Sequence, residues 1–228
     1  MLDERLSLAA QLYEPCALGA DIGTDHALLP CYLLTHNICQ EMILADVSPK
    51  ALLHAEESVR RHHLEKRAHV RLADGLDALT KPCGCVSMMG MGGETIRTVL
   101  LSGAEKLCGA VLVLSSHTEQ PLVRRTLPEI GYHIVQEKLC QAAGRFYIFW
   151  RAEPEGWTAE EVHYGRLLWV QNPPKMLLDY CRYRIKVMAD RLTGLASATG
   201  DVSRIRGEIS AEIDFYQRKI TELEGALC

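Results

Sequence analysis

The sequence predicts an α/β domain with a mostly parallel, seven-stranded sheet, followed by a smaller helical domain. Apolar, β-rich segments alternate with amphipathic segments from about residue 16 to 152, which is typical of a sheet covered by helices on both faces. The last two apolar segments are separated only by QAAG, too short for a crossover helix, so they should form an antiparallel hairpin. Beyond residue 153, apolar residues recur at spacings of three and four, which indicates packed helices.

Seven segments are predicted to be strands, and four predicted helices lie between them. The strands are residues 16–22, 41–46, 68–73, 85–90, 110–115, 132–140 and 145–151, and the helices are residues 26–36, 49–63, 93–104 and 120–129. Five parallel strands that alternate with these four helices, followed by a hairpin, resemble the class I methyltransferase fold in strand count and order, whereas a dinucleotide-binding Rossmann sheet needs a sixth parallel strand. The fold class is therefore Rossmann-like and seven-stranded, with an appended helical domain.

The C-terminal segment carries two apolar seams at coiled-coil spacing. The members are Leu178, Cys181, Ile185, Met188, Leu192 and Leu195, then Val202, Ile205, Ile209, Ile213, Tyr216, Ile220, Leu223 and Leu227. A short break at residues 197–201 separates them, which favours an antiparallel helical hairpin. We therefore predict two domains, residues 1–153 and 154–228, and the seams could close on each other or on a partner chain.

Composition narrows the possible environments and partners. Among 228 residues, 48% are hydrophobic and 24% charged, with a formal net charge of −4, and no apolar run reaches the ~18 residues that span a bilayer. The nine cysteines lie mostly in apolar segments and form no CxxC pair, which favours reduced thiols in a cytosolic protein over disulfides or a metal site. We expect a cytoplasmic protein without a membrane segment or a bound metal.

The turn after the first strand, ADIGTDHALLP at residues 20–30, is the most informative motif. It lacks the GxGxxG spacing that lets the backbone approach a pyrophosphate. Asp21 and Asp25 would also repel a diphosphate, since like charges ~4 Å apart cost ~1–4 kcal/mol at partly exposed sites. The ligand should be cationic, and S-adenosylmethionine, with an ammonium, a sulfonium and no phosphate, suits this turn.

Three further strand ends carry residues of the same kind. Asp46 follows Asp21 by twenty-five residues, and an acid at this strand end can accept hydrogen bonds from ribose hydroxyls. Asp74 should meet the adenine edge, and MMGMGG forms a second glycine turn. Each feature alone is more often a turn or cap residue, but together they indicate a ligand site at the carboxyl edge of the sheet. The histidines at 54, 62, 63 and 69 are interpreted as solvated surface, and His26 could be a capping residue or a functional one.

The chain resembles the bacterial tRNA (adenine-22 N1) methyltransferase family. The resemblance rests on ADIGTDHALLP, ILADV, ADGL, MGMGGETIRTVL and GRFYIFW, together with the C-terminal seams. It implies an S-adenosylmethionine site in which Asp21, Gly23, Asp25 and His26 border the methionine part, Asp46 and Val47 the ribose, Asp74 and Gly75 the adenine, and Gly90, Met91 and Gly92 the reacting centre. Two departures are Asp46, where the family usually has glutamate, and LSSHTEQ at residues 114–120 in place of an LQPN-like segment.

The resemblance also implies the substrate and its contacts. Adenine N1 is a neutral lone pair that can attack a sulfonium methyl without an obligatory base, provided that the adenine is unpaired or extruded. Asp25 and His26 are the expected catalytic residues beside the methyl group. Expected contacts to the base or the tRNA come from Ser116, His117, Arg97, Arg124, Arg145, Arg182 and Lys186, although exposed charges beside a seam often serve solubility alone.

Two alternatives stay open at this point. The first is a class I methyltransferase that acts on another RNA or on a small molecule. The second is a non-catalytic coiled-coil interaction protein with a degenerate turn, which the presence of Asp21, Asp46 and Asp74 disfavours.

Overall fold

The computed structural model describes residues 2–154, 165–195 and 201–227, and a seven-stranded sheet organises the first of its two compact units. The strands are β1 Cys16–Ile22, β2 Cys39–Asp46, β3 Ala68–Leu72, β4 Cys85–Met91, β5 Val111–Ser116, β6 His133–Ala142 and β7 Arg145–Glu153. Their order is β3-β2-β1-β4-β5-β7-β6, with β1 to β5 parallel and β7 antiparallel to β5. The seven predicted strands and the antiparallel end are confirmed.

The sheet order places a crevice at the carboxyl ends of β1 and β4. Chain order reverses there, since β2 lies on one side of β1 and β4 on the other, and open α/β sheets bind ligands at such a switch point. The central strands are apolar and buried, with Leu44, Val86 and Leu112 inaccessible to solvent. This core holds the strand ends in fixed positions.

Six helices of the described residues belong wholly or partly to the first unit. They are α1 Glu4–Gln11, α2 Leu28–Thr35, α3 Pro49–Arg61, α4 Gly93–Gly103, α5 Gln120–Glu129 and α6 Arg166–Gln171, with 3-10 helices at Gly75–Ala78 and Ala104–Lys106. Helix α1 was not among the predicted helices; Asp3 caps it by accepting from the Leu6 amide at 2.8 Å. Helix α2 begins two residues later than predicted because Ala27 adopts a left-handed conformation, with φ 51°. Asp25 and His26 therefore lie in the turn that precedes the helix.

The second unit contains a pair of packed helices. It comprises residues 144–146, 169–195 and 201–227, and the first unit comprises residues 2–143, 147–154 and 165–168. Helices α7 Pro174–Gly194 and α8 Ser203–Leu227 pack along each other, and the contacts Tyr180–Tyr216 and Leu195–Arg206 show that they run antiparallel. The coiled-coil geometry stays a prediction, as does the boundary after residue 153, beside which residues 155–164 lie outside the described part of the chain. None of the described helices is both long and apolar enough to cross a membrane.

A buried ion pair joins α5 to the hairpin of β6 and β7. The Glu137 carboxylate accepts from the guanidinium of Arg124, from Trp150 Nε1 at 2.8 Å and from the Leu168 amide at 3.0 Å. Arg124 and Glu137 are 6% and 1% exposed. The prediction that Arg124 contacts tRNA is therefore wrong, because its charge is enclosed with a structural partner.

We expect Arg124→Ala to lower the free energy of unfolding by about 3–5 kcal/mol, because it leaves the Glu137 carboxylate buried without its cation. The exposed neighbour Arg125 gives the matched control, and Arg125→Ala should change stability by less than about 0.5 kcal/mol. Urea unfolding of the two variants measures the difference. Equal stabilities would show that the pair does not stabilise the fold.

Candidate active site

A buried aspartate lies at the end of β1. Asp21 is 8% exposed, and its Oδ1 accepts a 2.5 Å hydrogen bond from the Ser87 hydroxyl of β4. Tyr13, in the segment after α1, donates in turn to Ser87 Oγ at 2.5 Å. The chain of hydroxyls fixes the carboxylate and joins α1, β1 and β4 at the crevice.

The surroundings of Asp21 disfavour its charge. Burial raises the pKa of this carboxyl to about 6; the Ser87 hydrogen bond opposes the shift, and the nearby negative charge of Asp46 adds to it. Among the described residues, no lysine or arginine forms an ion pair with Asp21. A cationic ligand would supply the missing countercharge.

The glycine turn beyond Asp21 is tied to β2. The amides of Gly23 and Thr24 both donate to the Ala45 carbonyl, at 2.8 and 3.0 Å, and Gly23 has φ 79°. A Cβ on Gly23 would collide with the Met91 side chain. Thr24 is 2% exposed, and its hydroxyl interacts with Asp21, lowering the pKa of that carboxyl, but makes no well-formed hydrogen bond among the described residues. The turn thus offers a buried polar group that a ligand can satisfy.

The predicted ribose and adenine residues lie on the β2 and β3 side of the crevice. Asp46 Oδ1 accepts from the Ser48 amide at 2.7 Å, and Val47 beside it is exposed. Asp74 is exposed and precedes the 3-10 helix. Gly75 is buried with φ 50°, and a Cβ there would lie 2.9 Å from Val99. Gly75 therefore permits close packing against α4, and Asp74 is the more accessible of the two.

The turn after β4 has an irregular backbone. The pairing of β4 with β5 shifts register between Met89 and Met91, and Gly90 between them has φ 76°. Gly92 is the N-cap residue of α4. Because of this shift, Gly90 does not pair with β5, and it is exposed at the crevice.

A pocket of about 200 Å³ opens at these strand ends. Six of the predicted site residues line it: Asp21, Gly23, Asp25, His26, Gly90 and His117. Asp46, Val47, Asp74, Gly75, Met91 and Gly92 are not in its lining. The pocket therefore covers the predicted methionine and reacting-centre region, whereas the nucleoside residues follow the outer edge of the sheet.

Several residues that line the pocket were not predicted from the sequence. Arg5, Leu28, Met89, Tyr147 and Phe149 also line it. The Arg5 guanidinium lies 5.0 Å from the centre of the Tyr147 ring, and the ring of His117 meets Tyr147 edge-on at 6.1 Å. The alternating pattern of β7 could have indicated that Tyr147 and Phe149 share a face, but nothing in the sequence placed that face at the pocket.

His54 is 41% exposed, in agreement with its predicted place on the surface, but it has a partner that the sequence did not predict. It was interpreted as solvated surface, yet its Nδ1 lies 3.0 Å from Asp25 Oδ1. His26 Nε2 lies 3.4 Å from Asp25 Oδ2, and the rings of His26 and His54 stack with centroids 4.9 Å apart. The available signal was topological, since α3 begins at the carboxyl end of β2, next to the turn that follows β1.

The remaining predicted contacts have diverse environments. Ser116 is buried and hydrogen-bonds within its own loop to the Thr118 carbonyl. Arg97 pairs with Glu129 at 3.4 Å, and Arg182 pairs with Glu224 at 3.0 Å. Arg145 and Lys186, both in the second unit, are exposed.

The fold and the site together define the class. A sheet with an antiparallel end, a glycine turn without a pyrophosphate motif, and an acid buried at the end of β1 are features of Rossmann-like methyltransferase domains. Residues 2–149 match the family model described as "Methyltransferase domain", and the chain belongs to this family.

Similar proteins are more specific. The chain is 30% identical over 148 residues to a tRNA (adenine(22)-N(1))-methyltransferase of Bacillus subtilis strain 168, a match that covers 64% of this chain and 62% of that relative. A Streptococcus pneumoniae protein, Sp1610, a candidate tRNA (m1A22) methyltransferase, superposes with a TM-score of 0.82 at 26% identity, covering 96% of this chain and all of that one. The same Streptococcus protein in complex with S-adenosyl-L-methionine is similar at 25% identity, also with a TM-score of 0.82 over 96% of this chain and 100% of that one.

The pKa of Asp21 predicts a pH-dependent stability. Its pKa of about 6 in the folded protein exceeds the ~3.9 of an unfolded chain. The contribution of Asp21 to the free energy of unfolding is therefore fully present below about pH 4 and is lost as pH rises through 6. Asn cannot ionise, so the variant Asp21→Asn escapes this loss. From pH 5 to pH 8, its free energy of unfolding should rise by about 1–1.5 kcal/mol relative to that of wild type. Urea unfolding at both pH values measures this gain, and a constant difference would contradict the buried, ionisable state of Asp21.

Proposed function

We propose that the chain is an S-adenosylmethionine-dependent enzyme that methylates N1 of adenine 22 in tRNA and acts in the cytoplasm. The observation that carries the proposal is the pocket at the end of β1, where the buried Asp21 carboxylate forms no ion pair with any described residue and lies beside the buried Thr24 hydroxyl. The relatives described above supply the choice of tRNA and of the adenine position.

The residues present fit S-adenosylmethionine. The Asp21 carboxylate and the Thr24 hydroxyl offer acceptors for its ammonium group, and Gly23 supplies the left-handed turn, with φ 79°, that follows Asp21 in the pocket lining. Asp46 is half-buried and anchored by the Ser48 amide, in a position to accept from ribose hydroxyls. Asp74 and the exposed Leu72 of β3 are available to the adenine. The bound cofactor supplies an electrophilic methyl group.

The protein's own task is to position the target base. Adenine N1 carries a free lone pair when the base is unpaired, so the chain need not remove a proton before the transfer. Tyr147 and His117 line the pocket and offer aromatic faces and edges on which an extruded base can stack, whereas Phe149 is 3% exposed and packs in the core behind the pocket surface. Asp25 and His26, on the same pocket wall, place negative charge and a hydrogen-bonding ring where a cationic product develops.

The second unit is the proposed tRNA-docking element. Arg145 and Lys186 are exposed, and neither takes part in the ion pairs found among the described residues. Arg182 and Arg184 pair with Glu224 and Glu212 across α7 and α8, so their charges also hold the helices together. Phosphate contacts should therefore depend more on Arg145 and Lys186 than on the paired arginines.

Asp21 should control cofactor affinity. S-adenosylhomocysteine keeps the ammonium group, so its affinity should fall about tenfold from pH 7.5 to pH 5 as Asp21 becomes protonated. Asp21→Asn should weaken binding about tenfold or more at pH 7.5, because it removes a charge-assisted hydrogen bond, and it should abolish the pH dependence. Calorimetry measures both effects. Glu65→Ala, an exposed change just before β3 at the amino edge of the sheet, should keep the wild-type profile; absence of binding to wild type would contradict the cofactor assignment.

Methyl transfer tests the substrate. With labelled S-adenosylmethionine, a tRNA transcript carrying A22 should yield 1-methyladenosine, and the same transcript with G22 should yield none. Asp25→Ala should lower kcat/KM roughly 10–100-fold through lost positioning, and Glu65→Ala should match wild type. Methylation of both transcripts, or of another nucleoside, would favour the alternative RNA substrate, and an inactive protein that binds the cofactor would point to a small-molecule substrate.

A further inference from the structure

Asp25, His26 and His54, called here the Asp25 cluster, bring three potential metal ligands together at the rim of the pocket. Their ligand atoms all lie within 4.8 Å of one another. His54 Nδ1 is 3.0 Å from one oxygen of Asp25, and His26 Nε2 is 3.4 Å from the other. The two imidazole rings are nearly parallel, at 12°. Two nitrogens therefore converge on a single carboxylate.

The nitrogen–oxygen distances approach those of a transition-metal site, whereas the two stacked rings must turn before both nitrogens can bind one ion, because a metal ion lies in the plane of each imidazole that binds it. Ligand atoms held ~2.0–2.1 Å from a tetrahedral zinc ion are about 3.3 Å apart, and the two distances to Asp25 bracket that value. Two imidazoles and one carboxylate form a donor set used for zinc and for other first-row divalent metals. All three side chains are substantially exposed, so a metal ion can reach them and they can adjust to close the remaining gap.

Charge also favours a dication over hydrogen bonding alone. An exposed histidine–carboxylate pair contributes little stability because water screens it. A divalent cation satisfies both nitrogens and the carboxylate at once. His54 reaches the cluster from α3, whereas Asp25 and His26 come from the turn that Ala27 fixes.

We propose that the Asp25 cluster binds a divalent first-row transition-metal ion, with zinc favoured over cobalt and nickel by availability. Asp25 and His26 also line the pocket, so a bound metal ion withdraws both side chains from any substrate. Metal binding then inhibits the enzyme; this second consequence rests on the proposed function, but binding itself does not. The cysteine pattern that predicted no metal site carries no information about these histidines.

Cobalt titration of the untagged chain tests binding without using activity. One Co²⁺ per chain should give visible d–d bands of nitrogen and oxygen coordination, and Zn²⁺ should displace it. His54→Ala should weaken the affinity for Co²⁺ at least about tenfold. Removal of a residue that only hydrogen-bonds to a metal ligand already weakens metal binding roughly 10–100-fold, and removal of a ligand itself should weaken it no less. Asp25→Asn should act in the same direction. The control is His69→Ala, which removes a partly exposed histidine that pairs with Glu41 at 2.7 Å but belongs to no group of three metal-binding side chains among the described residues.

The outcomes separate the possibilities. Retained affinity in both His54→Ala and Asp25→Asn, absence of stoichiometric binding to wild type, or an intense sulfur-to-cobalt charge-transfer band from thiolate ligands would overturn the site. Circular dichroism shows whether each variant is folded, and the exposure of His54 means that its removal should not unfold the chain. If tRNA methylation is observed, zinc should inhibit wild type at concentrations about tenfold lower than His54→Ala. Cobalt binding without any methylation would leave the metal site standing and reject the proposed function.

Discussion

The buried carboxylate of Asp21 is the constraint on which the site depends. It lies at the end of a central strand, where it is 8% exposed to solvent. The Ser87 hydroxyl donates a hydrogen bond to it at 2.5 Å. Ser87 is itself fixed by Tyr13, so the segment after α1 is attached to β4 through one hydroxyl chain. Without a cation, this arrangement raises the pKa of Asp21, because burial penalises the charged form. The pocket is therefore suited to a positively charged ligand before any ligand enters it.

The strands were predicted well because the spacing of apolar residues and the composition of each segment indicate how that segment is buried. The parallel strands are continuous apolar segments, and the QAAG connection allowed only a hairpin. Helix starts were less accessible, since the left-handed conformation of Ala27 depends on tertiary contacts that no local rule describes. The Asp25–His54 contact spans twenty-nine residues, and the sequence pattern of α3 shows only that His54 belongs to a polar face. Long-range pairing of side chains, not secondary structure, limited the prediction of the site.

Electrostatics explains why one edge of the sheet can attract different cations. Asp21 is buried and Asp46 lies close enough to raise its pKa, so both disfavour phosphate-rich ligands and favour ammonium or sulfonium groups. Asp25, in contrast, is exposed and engaged by two imidazoles. The first acid suits an organic cation that also fills the pocket, and the second suits a compact ion with directional ligands. Burial and neighbours, rather than residue type, separate the two roles.

The antiparallel end of the sheet connects the structural core to the pocket. Successive side chains of a strand point to opposite faces, and β7 uses both faces: Tyr147 and Phe149 line the pocket, while Trp150 donates to buried Glu137. Glu137 also accepts from Arg124 of α5, so one carboxylate fixes the position of the strand that carries the two pocket aromatics. Arg124, which the sequence predicted to contact tRNA, thus affects the pocket only through Glu137 and β7. Because the pocket side of β7 is opposed by a buried ion pair on the other face of the strand, the positions of Tyr147 and Phe149 should depend on packing at Glu137.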